Sequence, residues 1–390
     1  MLYEAEHYLE TGYEDVGYKS PELSSSSEYP DYIKEEVETS IKEIQEHQSY
    51  DTATIAFLTD IHLSHTYNHK IRFTRTINAY KEIAKRVHID KFILGGDYTN
   101  EGCKEYKMDR FRDLRAYFNG IDYYPINGNH DDGTVWDHAY IKAEISTNHL
   151  THEDMYKVFY NHLPYIGAEL DKKNPSLYYL VNDSVRKIRY ICLDSNDVPY
   201  MYDENGKLKY RGQHLFCFSQ AQLDWLTNTA LKFSEEGWSA VFVMHGSGVP
   251  ERAKDMERNI FRRTFVVVDI IDAYKNGEKI SGTYYDDDEN LKVTVDADFS
   301  EGNRADIIAV LVGDRHVDRH YYTKTGVPYI FRENSVTYYP ADYAETKPWK
   351  ILREDGNKSE MVLDVMVINK TVRKIYITRC GAGENEVIEY

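Results

Sequence analysis

Residues 52–60 read TATIAFLTD, an apolar run rich in β-forming residues that stops at a carboxylate. A short apolar run of this kind marks a strand buried on both faces. Residues 89–97, IDKFILGGD, repeat the pattern and end on Asp97. Residues 121–132, IDYYPINGNHDD, repeat it again and run into a Gly-Asn-His loop. Between these runs, residues 71–88 and 106–120 carry helical spacing. Strand–helix–strand alternation implies an α/β chain, with a parallel sheet and helices on its faces. Further strands are predicted at 177–181, 188–193 and 239–244, with a helix over 219–230; ADIIAVLVGD at 305–314 resumes the core.

The flanks differ in texture. Residues 1–50 read as an N-terminal arm: SPELSSSSEYPDY is linker-like, and IKEEVETSIKEIQEHQ has apolar residues too sparse for a wide core face. A short amphipathic helix in an extended arm is expected there. Residues 51–390 form the main domain. An insertion near 251–303 interrupts its rhythm, with a helix around 254–275 and an acidic stretch, YYDDDEN, that reads as a solvated turn. After Tyr321, MVLDVMVIN and TVRKIYITR predict a hairpin in a second sheet.

At 390 residues the chain is long enough for a large core. Its net charge of −18 argues against binding of long nucleic acid, which needs concentrated positive charge. A small phosphorylated substrate, a nucleotide included, stays compatible, because bound metal ions reverse the local field. No apolar run reaches membrane-spanning length, and the acidic N-terminus lacks a signal-peptide core, so a cytoplasmic location without membrane attachment is expected. Cys103, Cys192, Cys217 and Cys380 are far apart in sequence and read as isolated thiols. The 35 tyrosines offer flat, neutral surfaces for an aromatic group, or structural edges. Nothing in the sequence fixes an oligomeric state.

Polar clusters stand just after the predicted strands. They are Asp60 and His62 in LTDIHLS, Asp97 in GGDYTN, Asn129 and His130 in GNHDD, His245 in VFVMHG, and Asp314 with His316 in LVGDRHVDRH. In open α/β sheets the carboxyl ends of parallel strands meet at one crevice. Carboxylates, imidazoles and an amide oxygen are ligands for Zn²⁺, Mn²⁺ or Fe²⁺. The neighbouring glycines let the backbone turn tightly beside the ions.

The series DIH, GGD, GNHD, MHG and GDRH resembles the calcineurin-like metallophosphoesterases over roughly residues 52–380. The resemblance implies a four-layer fold, two packed mixed β-sheets flanked by helices, with two divalent metal ions between the sheet edges. It implies that Asp60, His62 and His316 hold one ion, that Asn129, His245 and position 314 hold the other, and that Asp97 bridges both. His130 would face the leaving group without binding metal. The implied reaction is phosphoester hydrolysis by hydroxide attack on phosphorus, with Asp97, Asn129 and His130 in the catalytic group and His130 as proton donor. The rival reading is a non-catalytic metal-binding or structural module on the same fold.

The sequence departs from the family pattern at two places. Asp314 stands where the final motif carries its first histidine, which makes the centre more anionic and favours Mn²⁺ or Fe²⁺ over Zn²⁺. After Asp97, the positions that hold Asp and Arg in the protein serine/threonine phosphatases are Asn100 and Glu101. Asn100 also occupies the place of the tyrosine ligand of the purple acid phosphatases. Loss of that arginine removes a clamp for a dianionic monoester and tilts the expectation slightly toward a small phosphodiester. Asn100 and Asp131 are both candidates to orient His130. His65 and His69 are candidates for the site entrance or for exposed positions at a helix start; His138, His149, His152 and His162 are expected at the surface or in packing. Arg315 and Arg319 either attract phosphate or form salt bridges.

Overall fold

A computed structural model describes residues 29–64, 67–100, 104–134, 148–172, 176–212, 215–248, 263–285, 287–335 and 351–390. Helix α1 (Asp31–His47) comes first. The predicted alternation follows: β1 (Ala53–Leu58), α2 (Tyr67–Ala84), β2 (Lys91–Leu94), α3 (Lys104–Tyr117) and β3 (Tyr123–Pro125). Next come α4 (His152–Met155), β4 (Ala168–Leu170), β5 (Tyr179–Asp183), β6 (Ile188–Cys192), α5 (Gln220–Trp225) and β7 (Ser239–Met244). Helix α6 (Phe265–Asn276) leads into a hairpin, β8 (Lys279–Tyr284) and β9 (Val293–Asp298). The chain closes with β10 (Asp306–Val312), β11 (Arg319–Tyr322), β12 (Pro328–Phe331), β13 (Val362–Asn369), β14 (Lys374–Gly381) and β15 (Glu386–Glu389).

Two large mixed sheets result. The first runs β15-β14-β13-β1-β2-β3 and the second β11-β12-β10-β7-β6-β5-β4. Strands β1, β2 and β3 are mutually parallel, as are β6, β7, β10 and β12. Period-two alternation sorts the second sheet's side chains between two cores. Val241 and Val243 of β7 join the core shared with the first sheet, whereas Ala240, Phe242 and Met244 face the core shared with α5 and α6. The first sheet carries α1 and α2 among its covering helices. The layers are therefore helices, sheet, sheet, helices, as the resemblance implies.

Three expectations meet differences. Helix α1 is 17 residues long and lies on β14 rather than in an extended arm. Ile33, Val37, Ile41 and Ile44 form one narrow stripe, and all four are buried. Burial of each contributes about 1.5–3 kcal/mol relative to exposure. The stripe looked too narrow in sequence because its polar neighbours are also covered: buried Glu36 accepts the Gly381 N–H at 3.0 Å and a Lys358 Nζ–H at 3.1 Å. The C-terminal hairpin belongs to the first sheet, not the second. Strand β13 pairs antiparallel with β1, placing Ala53 opposite Ile368 and Phe57 opposite Asp364. Strand β2 occupies only one edge of β1, so the returning chain fills the other. In the insertion, the acidic stretch is only partly solvated: Asp288 accepts the Tyr210 hydroxyl at 2.8 Å. The part of the expected helix before residue 263 lies outside the described residues. No described helix is long and apolar enough to cross a membrane.

Candidate metal centre

The strands deliver their terminal residues to one place between the two sheets. Asp60 and His62 follow β1, Asp97 follows β2 and Asn129 follows β3, all from the first sheet. His245 follows β7 and Asp314 with His316 follows β10, from the second. Backbone bonds join these loops directly. Asp60 N–H donates to Gly96 O at 3.0 Å, His62 N–H to Asp97 O at 2.8 Å, and Gly313 N–H to His245 O at 3.0 Å.

The backbone is unusual at this spot. Eight described residues other than glycine have positive φ, and five of them are Asp60, His62, Asp97, Asp314 and His316. Their φ values run from 45° to 63°, the left-handed region where a Cβ crowds the chain. Each such residue costs about 1–3 kcal/mol and persists only where its surroundings enforce it. Gly128 is required for a different reason: a Cβ there would sit 2.0 Å from the Asp97 backbone nitrogen.

The side chains converge in cation-sized groups. Asp60, His62 and His316 form one; Asp60, Asp97 and His245 form another; His62, Asp97 and His130 a third. The Nε2 atoms of His62 and His316 lie 3.1 Å apart, and His316 Nε2 is 3.0 Å from Asp60 Oδ1. His62 Nε2 is 3.5 Å from Asp97 Oδ2. On the other side, His245 Nε2 is 3.2 Å from Asp97 Oδ1 and 2.9 Å from Asn129 Oδ1. The opposite nitrogen, Nδ1, lies 2.8 Å from Gly95 O. Donation there orients the ring with Nε2 toward Asp97, as in an imidazole that binds metal. Burial opposes protonation of this ring, but Asp97 and Asp60 raise it well above its ordinary range, so metal binding would displace a proton. Asp97 thus touches both halves of the cluster through different oxygens.

Electrostatics fit a cation. Burial pushes the His62 imidazole down to about 3, so the ring is neutral and able to ligate. Burial opposes ionisation of Asp60 and Asp97, but facing imidazoles, His316 and His245 respectively, hold both carboxyls below their ordinary range. Asp314 is pushed up to about 6 by burial, with Asp60 and Asp97 adding to the shift and His245 opposing it. The two carboxylates and four imidazoles of these groups, closely packed and largely shielded from water, suit divalent metal.

The site departs from the expected arrangement in detail. The Asp314 backbone N–H donates to Asp60 Oδ2 at 3.1 Å, but its carboxylate belongs to none of the three cation-sized groups. His130 packs its ring edge-on to His62 at 4.8 Å, with Nε2 3.9 Å from Asp97 Oδ2. Its backbone N–H donates to Asp97 Oδ1 at 2.8 Å, and its buried Nδ1 has no hydrogen-bond partner among the described residues. Asp131 does not orient it. That carboxylate accepts the backbone N–H groups of Asp97, Tyr98, Thr99 and Gly128 and so shapes two metal loops at once.

Other residues beside the motifs, and the further histidines and arginines, have other places. Tyr98 is fully buried, with its hydroxyl bonded to Ile126 O at 2.6 Å. His69 is buried too, its Nδ1 lying 3.0 Å from Ser64 Oγ and 3.3 Å from His62 O, so it supports the first loop rather than lining an entrance. His162 packs on Tyr123. His149 stacks on Tyr200. His152 sits with Asp194 and Asp197, each ring nitrogen 3.7 Å from a different carboxylate. Half-buried Arg315 crosses to Ser247 O at 3.4 Å, and Arg319 is exposed on β11. His65, His138 and Glu101 lie outside the described residues.

Two supports had no signal in the sequence. Thr59 Oγ1 donates to Asp60 Oδ2 at 2.6 Å. Lys107, fully buried on α3, donates to Thr99 Oγ1 at 2.8 Å and to the carbonyls of Asn100 and His130, tying the second metal loop to the third. A lysine in a helical run reads as solvated surface until the fold buries it.

The model of the calcineurin-like phosphoesterase family matches residues 53–318. The chain belongs to this family. It is a metal-dependent phosphoesterase, and the family chemistry uses two divalent metal ions. A search of curated protein sequences returns no match. Among solved structures, a dimetal phosphatase from Danio rerio aligns with a TM-score of 0.53 at 10% identity, covering 87% of this chain and 99% of its own. The Haemophilus influenzae NAD nucleotidase aligns with a TM-score of 0.37 at 12% identity, covering 87% of this chain and 49% of its own. The first likeness supports the fold; the phosphoesterase chemistry rests on the family match.

Proposed function

We propose that this phosphoesterase acts on small phosphoesters, nucleotides included, with diesters slightly preferred over monoesters and Mn²⁺ or Fe²⁺ preferred over Zn²⁺. In this reading Asp60, His62 and His316 hold one ion, Asn129, His245 and Asp314 hold the other, and Asp97 serves both. When bound, the two ions supply Lewis acidity and a hydroxide nucleophile at neutral pH. The chain's residues do the positioning. Asp97 reaches the two halves with separate oxygens, and Gly95 O orients the His245 ring. His130 carries a proton to the leaving oxygen from Nε2 as general acid. A folded His130→Ala variant that keeps both metals but loses turnover supports that role; loss of one metal instead would make His130 a ligand.

The observation that carries the substrate reading is the aspartate at position 314, beside buried Asp60. An anionic residue there lowers the attraction of the centre for a dianion more than for a monoanion. The chain's 35 tyrosines offer flat, neutral faces for an aromatic leaving group. The test is kcat/KM over matched mono- and diesters with one leaving group. A diester advantage is expected; a monoester advantage above about tenfold, or 1.4 kcal/mol, overturns the reading. Metal titration of the apoprotein tests the other half. Tighter Zn²⁺ than Mn²⁺ binding, unchanged in Asp314→His, contradicts it.

A further inference from the structure

We infer that Asp318 is a positioning residue for one metal ion, acting as the end of a buried ionic strut between the two sheets. The inference rests on the proposed role of His316 as a ligand. Asp318 lies two residues beyond His316, on the same loop after β10. Its carboxylate receives both terminal nitrogens of Arg379: Nη1 donates to Oδ2 at 2.9 Å and Nη2 to Oδ1 at 2.8 Å. The Glu333 backbone N–H donates to Oδ1 at 3.0 Å. Arg379 belongs to β14, in the first sheet, and its Nε donates to Asp364 Oδ1 at 2.8 Å. Asp364, on β13, also takes a two-pronged contact from Arg332, at 2.8 and 3.0 Å. Arg332 follows β12 in the second sheet and lies 3.5 Å from Asp318. The side chains of Arg332, Arg379 and Asp364 are 1%, 1% and 2% exposed.

The direction of this network is what gives it a function. Asp60 and His62 come from the first sheet and His316 from the second, yet one ion must be met by all three. The strut ties the His316 loop to β13 and β14, and β13 pairs with β1, which ends beside Asp60. It therefore sets the reach from His316 to Asp60. Bidentate arginine–carboxylate contacts are geometrically strict and suit such a part. The His245 side has its own brace, the Gly95 carbonyl, and its one ligand from this loop, Asp314, is held separately by its backbone N–H bond to Asp60. The strut should thus favour one ion selectively.

The experiment is titration of metal-free protein with Mn²⁺ by calorimetry and by electron paramagnetic resonance, for wild type, Asp318→Asn, Arg379→Lys and His316→Ala. Circular dichroism identifies folded protein. Asp318→Asn, equal in shape, should weaken one of two Mn²⁺ sites about ten- to a hundredfold, the range for partners of metal ligands. The other site should stay within about threefold of wild type. Excess Mn²⁺ should then restore kcat. Arg379→Lys keeps the charge, loses the fork and should shift the same site, so either variant alone serves if the other does not fold. A merely structural role would leave both sites unchanged or weaken both alike; either result in a folded variant overturns the inference. His316→Ala separates the two levels of the argument. If it retains both sites, the ligand assignment fails. If it loses one and Asp318→Asn loses none, the strut fails alone.

Discussion

Two polar clusters are buried between the same two sheets, and they solve the problem of buried charge in opposite ways. Around Asp364, two arginines neutralise the carboxylates and saturate them with hydrogen bonds. Around Asp97, the ion-pair partners of the acids are imidazoles. In the first cluster each arginine meets its carboxylates within the protein, Arg332 also reaching Glu386 at 2.8 Å, so no ion from solution is needed to pair them. The second is built from groups that are neutral or anionic when ready to bind, so it is completed by metal. One is scaffold and the other is an acceptor, although both look alike as clusters of Asp with basic side chains.

The largest test of this contrast is Asp97→Asn. It removes the carboxylate that touches both halves of the centre, and kcat/KM should fall by about a thousandfold or more, equivalent to several kcal/mol. A folded variant with activity within tenfold of wild type would erase the distinction. Asp364→Ala should act on stability instead. Breaking a buried, hydrogen-bonded pair leaves two arginines short of a partner and costs about 3–5 kcal/mol, read by urea denaturation. Its pH dependence has a definite sign. Although burial raises it, the flanking arginines bring the Asp364 carboxyl down to about 2, below its ordinary 3.8. The folded form therefore binds this proton less readily than the unfolded chain. The stabilisation is full above the ordinary value and is lost as pH falls toward about 2. Asp364→Asn should lower stability at neutral pH and flatten the dependence in that acidic window; an unchanged acid profile would count against the strut's ionic character.

Metal addition sharpens the contrast from the other side. Mn²⁺ at a hundred times its dissociation constant should stabilise the protein by about 2.7 kcal/mol per site, seen as a rise in Tm. Asp364→Asn should keep that increment, whereas Asp60→Asn should reduce it. The smallest effect belongs to Thr59→Val, which deletes the hydroxyl donor to Asp60 and should weaken one metal site by about tenfold. No change in metal affinity would show that the Asp60 orientation is fixed by its loop alone.

The two clusters also differ in how they read from sequence. Asp60, His62, Asp97, Asn129, His245 and His316 each follow an apolar strand, so their convergence could be inferred from the rule that parallel strands end together. The parallel cores β1–β2–β3 and β7–β10 were legible for the same reason. Arg332, Asp364 and Arg379 stand in or beside strands where a charged residue reads as an outward-facing position. Only the pairing of β13 with β1 reveals that they face inward. That pairing depends on which sheet edge stays open, which is a property of the assembled fold. Buried Lys107 and the covered stripe of α1 were hidden likewise, because a polar residue's burial depends on partners distant in sequence.

The left-handed backbone at five of the site residues has a consequence for how this chain can change. At positive φ, glycine is the residue the backbone prefers, and asparagine is better tolerated than most. Replacing Asp60, His62, Asp97, Asp314 or His316 with glycine would discard a candidate ligand and relax a strained turn in the same step. Selection of random variants for thermal survival alone, in a metal-depleted medium, would thus be drawn toward these positions first. The population would become hardier as it became inert, and the record of that drift would be glycines accumulating at the mouth of the crevice while the arginine strut stayed intact.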